Sequence, residues 1–522
     1  MGLALIAVGM PLSKFLMSVG QFALAASFLL DGKFKTKTQW FLINTSALVL
    51  CGLFFIHLLG LIHSSDYAAG LQDLRIKFPL LVMPILIASS EPLQRKQFEN
   101  ILLLFVLAVF AGTVVSMAVL VGIIYRPITD IRDIFMFGIS HIRFALFTCL
   151  SIFFIIHLLW FHREYTPVKK VLLTLLVVWL AIFLVIMESV TGVAVLVVTA
   201  IVLLFYYAAQ KGALWKRLVA LCFALALPVS AIYIVREAVK EFYFHYDIDL
   251  KSLQKTTPHN NTYLHWPGVE LTENGYRTWI YVCEPEMREE WNKRGSIRYD
   301  SSDMKGQQLH VTLIRYLTSK GLRKDEDGVK MLTDEDIRAI ERGVANVNYE
   351  GFNPKARIQQ IIWEYNHYKE TGDPSGHSVM QRLEFWQAGW NIFTGHFWTG
   401  VGTGDLENAY QHEYEKKNYP LEEKYRLRAH DQYLAIADAL GIFGLLYFLL
   451  SLVYPMIKRK KAFNFLYITF WITALLSMIT EDTLETQAGV TFFAFFNCLY
   501  LFAYDPGEEG NRGIREIRKI GK

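Results

Sequence analysis

The residues best suited to chemistry in this chain are one histidine and a handful of arginines. His430 falls where a long polar stretch gives way to an apolar segment, which puts it at a water–lipid boundary. Imidazole exchanges a proton near neutral pH without help, so it suits a general base that deprotonates a sugar hydroxyl. A histidine capping the helix beside Asp431 is the alternative reading. Arg382 stands four residues before Trp386 on a segment of helical period. Its planar fork of donors fits phosphate oxygens; a solvated arginine on a polar face is the alternative. Arg426 and Arg428, two and four residues before His430, add positive charge at the same boundary.

Carboxylates complete the set. Asp438 lies two helical turns past His430, about 12 Å into the apolar segment. A charge there costs roughly 3 kcal/mol unless paired, so it is expected to face protein rather than lipid. Glu481, Asp482 and Glu485 cluster just past a later apolar segment, where they can hold an arginine, orient His430 or cap a turn. Gly400, Gly402 and Gly404 lead into Asp405 without the Lys-Ser/Thr of a nucleotide loop, and read as a tight turn. Residues 325–328 are similar to a calcium loop but lack its alternating ligands, and read as a solvated helix start. No Cys/His spacing fits zinc. Asp66 and Asp73 are seven apart, Asp130 and Asp133 flank Arg132, and Glu481/Asp482 adjoin the cations. Neither a metal nor a cofactor is expected.

These residues need a membrane scaffold. Of 522 residues, 53% are hydrophobic and 19% charged, with a mean hydropathy of +0.28. Apolar segments at about 12–30, 40–62, 78–90, 101–124, 142–161, 171–187, 190–207, 218–235, 434–456, 463–480 and 488–503 predict an all-α polytopic membrane protein with about 11–12 transmembrane helices. Basic residues at 33–37, 95–96, 163–170, 211–217 and 458–461, and the tail with Arg512, Arg515, Arg518, Lys519 and Lys522, fall on alternate connections. The positive-inside rule makes these cytoplasmic and the long polar stretch external. The expected organisation is a bundle of about eight helices over 1–236, an outer loop over 237–433 with a catalytic segment at 379–433, three helices over 434–503 and a basic cytoplasmic tail at 504–522.

Residues 1–30 form one apolar run broken by Pro11, either one span or a helical stub before a second helix, without the features of a signal peptide. Segment 78–90 is short and carries Pro79 and Pro84, as a broken or re-entrant helix would. The loop is irregular over 237–300 with room for short strands. It is helical over 304–345 around Leu313, Ile314 and Leu317, and again over 357–368 and 379–393, with Trp386 and Trp390 on one face. Cys283 is the loop's only cysteine, so the loop folds without an internal disulfide. His141 and Arg143 begin one span at its outer end, and Arg75 and Lys77 flank 78–90 on the same side. Outer cations run against the usual bias, which singles them out from the inner ones; snorkelling anchors are the alternative.

From 382 to 447 the pattern resembles the O-antigen ligase/polymerase superfamily: Arg382 before Trp386, the Gly400–Asp405 turn, His430 with Asp431, Gln432 and Tyr433, and Gly441 with Gly444. The long loop around Trp279 and Gly372, and the stretch 480–489, resemble its Bacteroidetes-type branch. The resemblance implies a GT-C-like glycosyltransferase of the bacterial inner membrane with its large loop in the periplasm. It would move a polyprenyl-diphosphate-linked glycan onto a sugar hydroxyl of lipid A–core, with inversion and without metal. On that resemblance His430 and Arg382 are catalytic; Arg143, Arg428, His141 and Arg75 bind diphosphate; Asp438, Glu481 and Asp482 support them. One departure is Val190, where many relatives carry an arginine; Arg143 is the candidate replacement. A polysaccharide polymerase on the same carrier and a protein O-glycan ligase differ only in acceptor. A lipid-glycan transporter would need deep charges or repeated halves, and neither is evident. Membrane lipids are expected partners; nucleic acid is not.

Overall fold

A computed structural model describes residues 1–126, 131–162, 164–209, 213–249, 252–269, 271–349, 353–417, 419–462 and 464–504. Asp130, Arg163, Lys211 and the basic tail lie outside the described residues, as do the side chains of Arg132 and Asp133. Of the described residues 72% are helical, and the chain is an all-α polytopic membrane protein. Seven helices among the described residues are long and apolar enough to cross a bilayer, where the sequence predicts 11–12. A bent pair, Lys14–Leu30 with Phe34–Ile43, makes an eighth if counted as one span. The difference lies in shorter apolar helices, Gly2–Leu12, Pro79–Ala88, Phe465–Thr480 and Gln487–Ala503. Turns interrupt these runs before they reach the roughly 20 residues a span needs.

The apolar N-terminus is two helices, because the chain is extended at Ser13 and the Ser13 hydroxyl accepts from Leu16 N at 3.2 Å. Glycines let the pair touch: a Cβ on Gly9 would sit 2.3 Å from Met17 N, and one on Gly20 2.6 Å from Ile6 N. Phe78 keeps helical dihedrals (φ −53, ψ −35), so Tyr67–Lys77 passes directly into Pro79–Ala88. The sequence expectation of a break there is met only by the donor that Pro79 lacks.

Basic connections gather at one end. Lys33 Nζ lies 3.7 Å from Glu91, Leu93 N donates to Ala503 O at 2.7 Å, Arg95 and His162 share Glu99, and Arg459 covers the Phe502 ring. Helix Gln432–Lys458 is interrupted at Gly441, whose φ of +66 only glycine adopts readily. Segment 397–402 fills that break. Val401 N donates to Asp438 O, Gly402 N to Ala439 O, and Ile442 N to Phe397 O, all at 2.8–2.9 Å.

Two compact units divide the chain: 1–126 with 134–224 and 372–522, and 127–133 with 225–371. Residues 372–433 therefore fold with transmembrane helices and not with the rest of the expected loop. There helix Ser378–Gly395 buries Phe385, Ala388 and Ile392 against Tyr410, Tyr414 and Ala435. Trp390 is exposed, so the tryptophan face is not the core face.

In the other unit, helices Glu284–Arg294, Leu309–Ser319 and Asp334–Glu341 close over Met287, Trp291, Leu313, Ile314, Leu317 and Ile340. Asn274 and Gly275 turn a hairpin between Thr272–Glu273 and Tyr276–Arg277. Asp325 starts a helix as expected, but it is buried rather than solvated. It accepts from Gly328 N at 2.8 Å and from the Tyr263 hydroxyl.

Candidate functional site

The glycine turn is a packing device. A Cβ on Gly400 would meet Ala439 C at 2.3 Å, and one on Gly404 would meet Asp66 O at 2.0 Å. Asp405 then closes the turn, accepting from Ser65 N at 2.6 Å, Ser65 Oγ at 2.8 Å and Asp66 N at 2.8 Å. This clamps the segment leading to His430 onto the end of helix Thr45–Gly60. Trp386 Nε1 donates to Ala429 O at 3.1 Å, tying helix Ser378–Gly395 to the residue before His430.

His430 adopts φ +49 immediately before Asp431, which caps the next helix by accepting from Leu434 N at 2.8 Å. Capping is thus done by Asp431, and the imidazole is left over for another task. Its Nδ1 lies 3.6 Å from Asp482 Oδ1, and its side chain keeps 34% of its surface exposed. Arg428 Nη2 reaches the other oxygen of Asp482 at 3.5 Å, while Nη1 reaches Glu485 at 3.4 Å. Arg143 Nη2 lies 3.9 Å from Glu481 Oε2. Arg382 Nη2 donates to Thr480 O at 3.5 Å, one residue before Glu481.

Beneath this layer Lys77, 1% exposed, joins Asp73 at 2.5 Å and Glu485 at 2.9 Å. Gln432 Nε2 donates to Glu485 Oε1 at 3.4 Å and its Oε1 accepts from Leu484 N at 2.5 Å, fixing the turn that carries the three acids. The result is a nearly dry layer of alternating charge around one half-exposed histidine.

Burial sets the direction of the acids, and neighbouring cations reverse it where they are close. Burial raises Asp482, but His430 and Arg428 outweigh it and hold the carboxyl below its ordinary value. Glu485 is likewise pulled well down, burial being overcome by Lys77 and Arg428. Glu481 stays raised because burial exceeds the pull of the more distant Arg143. Asp73 is pushed up to about 6, mainly by burial, against the pull of Lys77. Burial lowers Arg428 less than Glu485 and Asp482 raise it, so it remains firmly cationic.

Of the residues singled out in the sequence, His430, Arg382, Arg143, Arg428, Glu481 and Asp482 come together here. His141 opens helix His141–Phe161, two residues before Arg143. Arg75 is exposed and joins none of these ion pairs; Lys77, on the inward face of the same helix, takes its place. Asp438 does face protein, but its Oδ2 accepts from the Tyr410 hydroxyl at 2.6 Å, so it braces the core rather than His430. Asp73 pairs with Lys77 four residues on in the same helix, a spacing visible in the sequence, whereas the contacts of Gln432 with Leu484 and Glu485 are set by packing.

Fold and site define a polytopic membrane protein with a buried charge layer around a half-exposed histidine, at the end of the bundle away from its basic connections. The family model described as O-antigen ligase matches residues 338–449, and this match supports membership in the O-antigen ligase family. The matched span contains Arg382, Arg428 and His430, whereas Lys77, Arg143 and the acids at 481, 482 and 485 lie outside it. Such a match suggests glycosyl transfer with a lipid-linked glycan in a membrane setting. A comparison with curated proteins finds no match.

Proposed function

We propose that the chain transfers a glycan from a polyprenyl-diphosphate carrier to a sugar hydroxyl of lipid A–core, at the outer face of the bacterial inner membrane. The observation that carries this reading is the Arg428–Asp482–His430 array, with Asp482 3.6 Å from the imidazole and 3.5 Å from the guanidinium. Held through Nδ1, His430 can present Nε2 to an acceptor hydroxyl and take its proton. The acceptor oxygen then bonds to the anomeric carbon as the carbon–oxygen bond to diphosphate breaks, so one displacement inverts that centre. Negative charge builds on the departing diphosphate, and on this reading Arg382, Arg143 and His141 receive it. The leaving group already stores the energy, so no nucleotide is required.

Val190, 54% exposed, begins helix Val190–Ala209 without an arginine. A Cβ on Gly192 would lie 2.6 Å from that of Ala145, which puts this turn beside the helix carrying Arg143. That closeness supports Arg143 as the substitute cation.

The test is transfer by the purified full chain from a lipid-linked glycan to lipid A–core, to a second lipid-linked unit, and to protein, in separate reactions. Product on lipid A–core alone is expected. Product only on the second unit or only on protein replaces ligation with polymerisation or protein glycosylation. No product on any acceptor, with intact donor, removes the reading.

A further inference from the structure

The second unit carries a cleft unrelated to the charges around His430. It is about 320 Å³, at the small end of ligand sites, and is lined by Glu237, Lys240, Glu241, Phe244, Asn274 and Asn348. Helix Leu214–Tyr243 is 30 residues long, about ten more than a bilayer requires, so its last turns stand in water and supply Glu237, Lys240 and Glu241. The opposite wall is built by the hairpin turn.

The polar wall is preorganised. Asn274 Nδ2 donates to Ser319 O at 2.8 Å, and its Oδ1 accepts from Asn346 at 3.2 Å and Asn348 at 3.1 Å. Asn346 is held in turn by Glu273 at 2.7 Å, which also takes Arg315 at 2.6 Å. Glu241 is paired with Lys355 at 2.5 Å. The side chains of Glu237 and Lys240 make neither a hydrogen bond nor an ion pair within 4 Å among the described residues, although Glu237 feels the charge of Lys355, so acceptor and donor capacity is left over.

Beside the amides stands a fixed aromatic edge. Phe244 is 52% exposed and meets Tyr246 edge-on at 5.1 Å; Tyr246 stacks on Tyr276 at 4.6 Å. Tyr246 N donates to Gly275 O at 2.9 Å, and a Cβ on Gly275 would touch both Phe244 and Tyr246 at 3.2–3.3 Å. These rings are exposed because the backbone holds them there. An apolar ring face beside fixed amides, a carboxylate and an ammonium matches a pyranose, which shows C–H groups on its faces and hydroxyls around its rim.

We infer that this cleft is a saccharide-binding subsite, separate from the His430 centre, for one or two sugar units of the glycan the chain handles. The ligand class rests on the glycan-transfer reading; the cleft itself does not. The experiment is saturation-transfer NMR and titration of full-length protein in nanodiscs, using O-polysaccharide released by mild acid from the host's lipopolysaccharide as probe. Saturable binding is expected for the wild type and for His430→Ala, with at least tenfold weaker binding for Phe244→Ala and for Asn348→Ala. Absence of saturable binding in the wild type, or unchanged affinity in both cleft variants, overturns the subsite, as does loss of binding in His430→Ala. Phe244→Ala that fails to enter nanodiscs while Asn348→Ala keeps full affinity also overturns it and makes the aromatics an interfacial anchor. Saccharide binding without transfer would instead count against the transfer reading alone.

Discussion

The ammonium of Lys77 sits 2.9 and 3.0 Å from the two carboxylate oxygens of Glu485, although the residues are 408 positions apart and neither side chain is more than 6% exposed. Glu485 also meets Arg428 and Gln432, and Asp482 on the same turn meets His430. One buried lysine thereby sets the turn from which His430 is oriented.

Removing that lysine strands the buried Glu485 carboxylate and the partly buried one of Asp73. Lys77→Met should cost about 3–5 kcal/mol, read as a lowered melting temperature in detergent, and adding Glu485→Gln should recover part of it. Equal melting of Lys77→Met and wild type would show that the pair contributes nothing.

Asp73 gives the same network a pH dependence. Its carboxyl titrates at about 6 in the folded chain against an ordinary 3.8. A raised value means that its contribution is full below the unfolded pKa and is lost as pH rises through about 6. Asp73→Asn should therefore flatten the fall in melting temperature between pH 4 and pH 6, values set by roughly those two limits. An unaltered slope would place the titration elsewhere.

His430→Ala should insert normally and lose transfer. Asp482→Asn should lower turnover by roughly 10²-fold or more, the range for disturbing a general base, with little change in donor KM. A near-normal rate in correctly inserted His430→Ala would remove His430 from the role of base.

Arg382→Lys keeps a charge but loses the planar fork, so donor turnover should fall clearly. Arg143→Ala should weaken donor binding, and because it leaves Glu481 without its 3.9 Å partner, the fair comparison is Arg143→Ala with Glu481→Gln. Unchanged donor affinity in that double variant would remove Arg143 from the diphosphate site.

Each acid of the 481–485 turn has a cation nearby: Arg143 at 3.9 Å, Arg428 at 3.5 Å and Lys77 at 2.9 Å. Transfer should accordingly continue in excess EDTA. Activity lost to chelator and restored by magnesium or manganese would turn Glu481 and Asp482 into metal ligands.

Sidedness can be read by labelling. Cys222 is exposed on the surface of a membrane-spanning helix, so a Cys222→Ser background serves as the control. In it, Asp327→Cys should react with an impermeant maleimide from the periplasm and Lys460→Cys should not. The reverse pattern would invert the topology.

Short-range patterns were enough to give the helical membrane character, the end at which basic connections gather and the helix at 378–395. Apolar runs, basic punctuation and the 3.6-residue period are local properties that any neighbouring residues express. Tertiary structure alone selected Lys77 over Arg75, gave Asp438 to Tyr410, detached residues 372–433 from the rest of the loop and turned Phe385, not Trp390, into the core. Each of those outcomes depends on which faces of distant helices meet, as at Lys77 and Glu485. Burial then makes the pairing compulsory, since a charge removed from water must find its counter-charge wherever packing has put one.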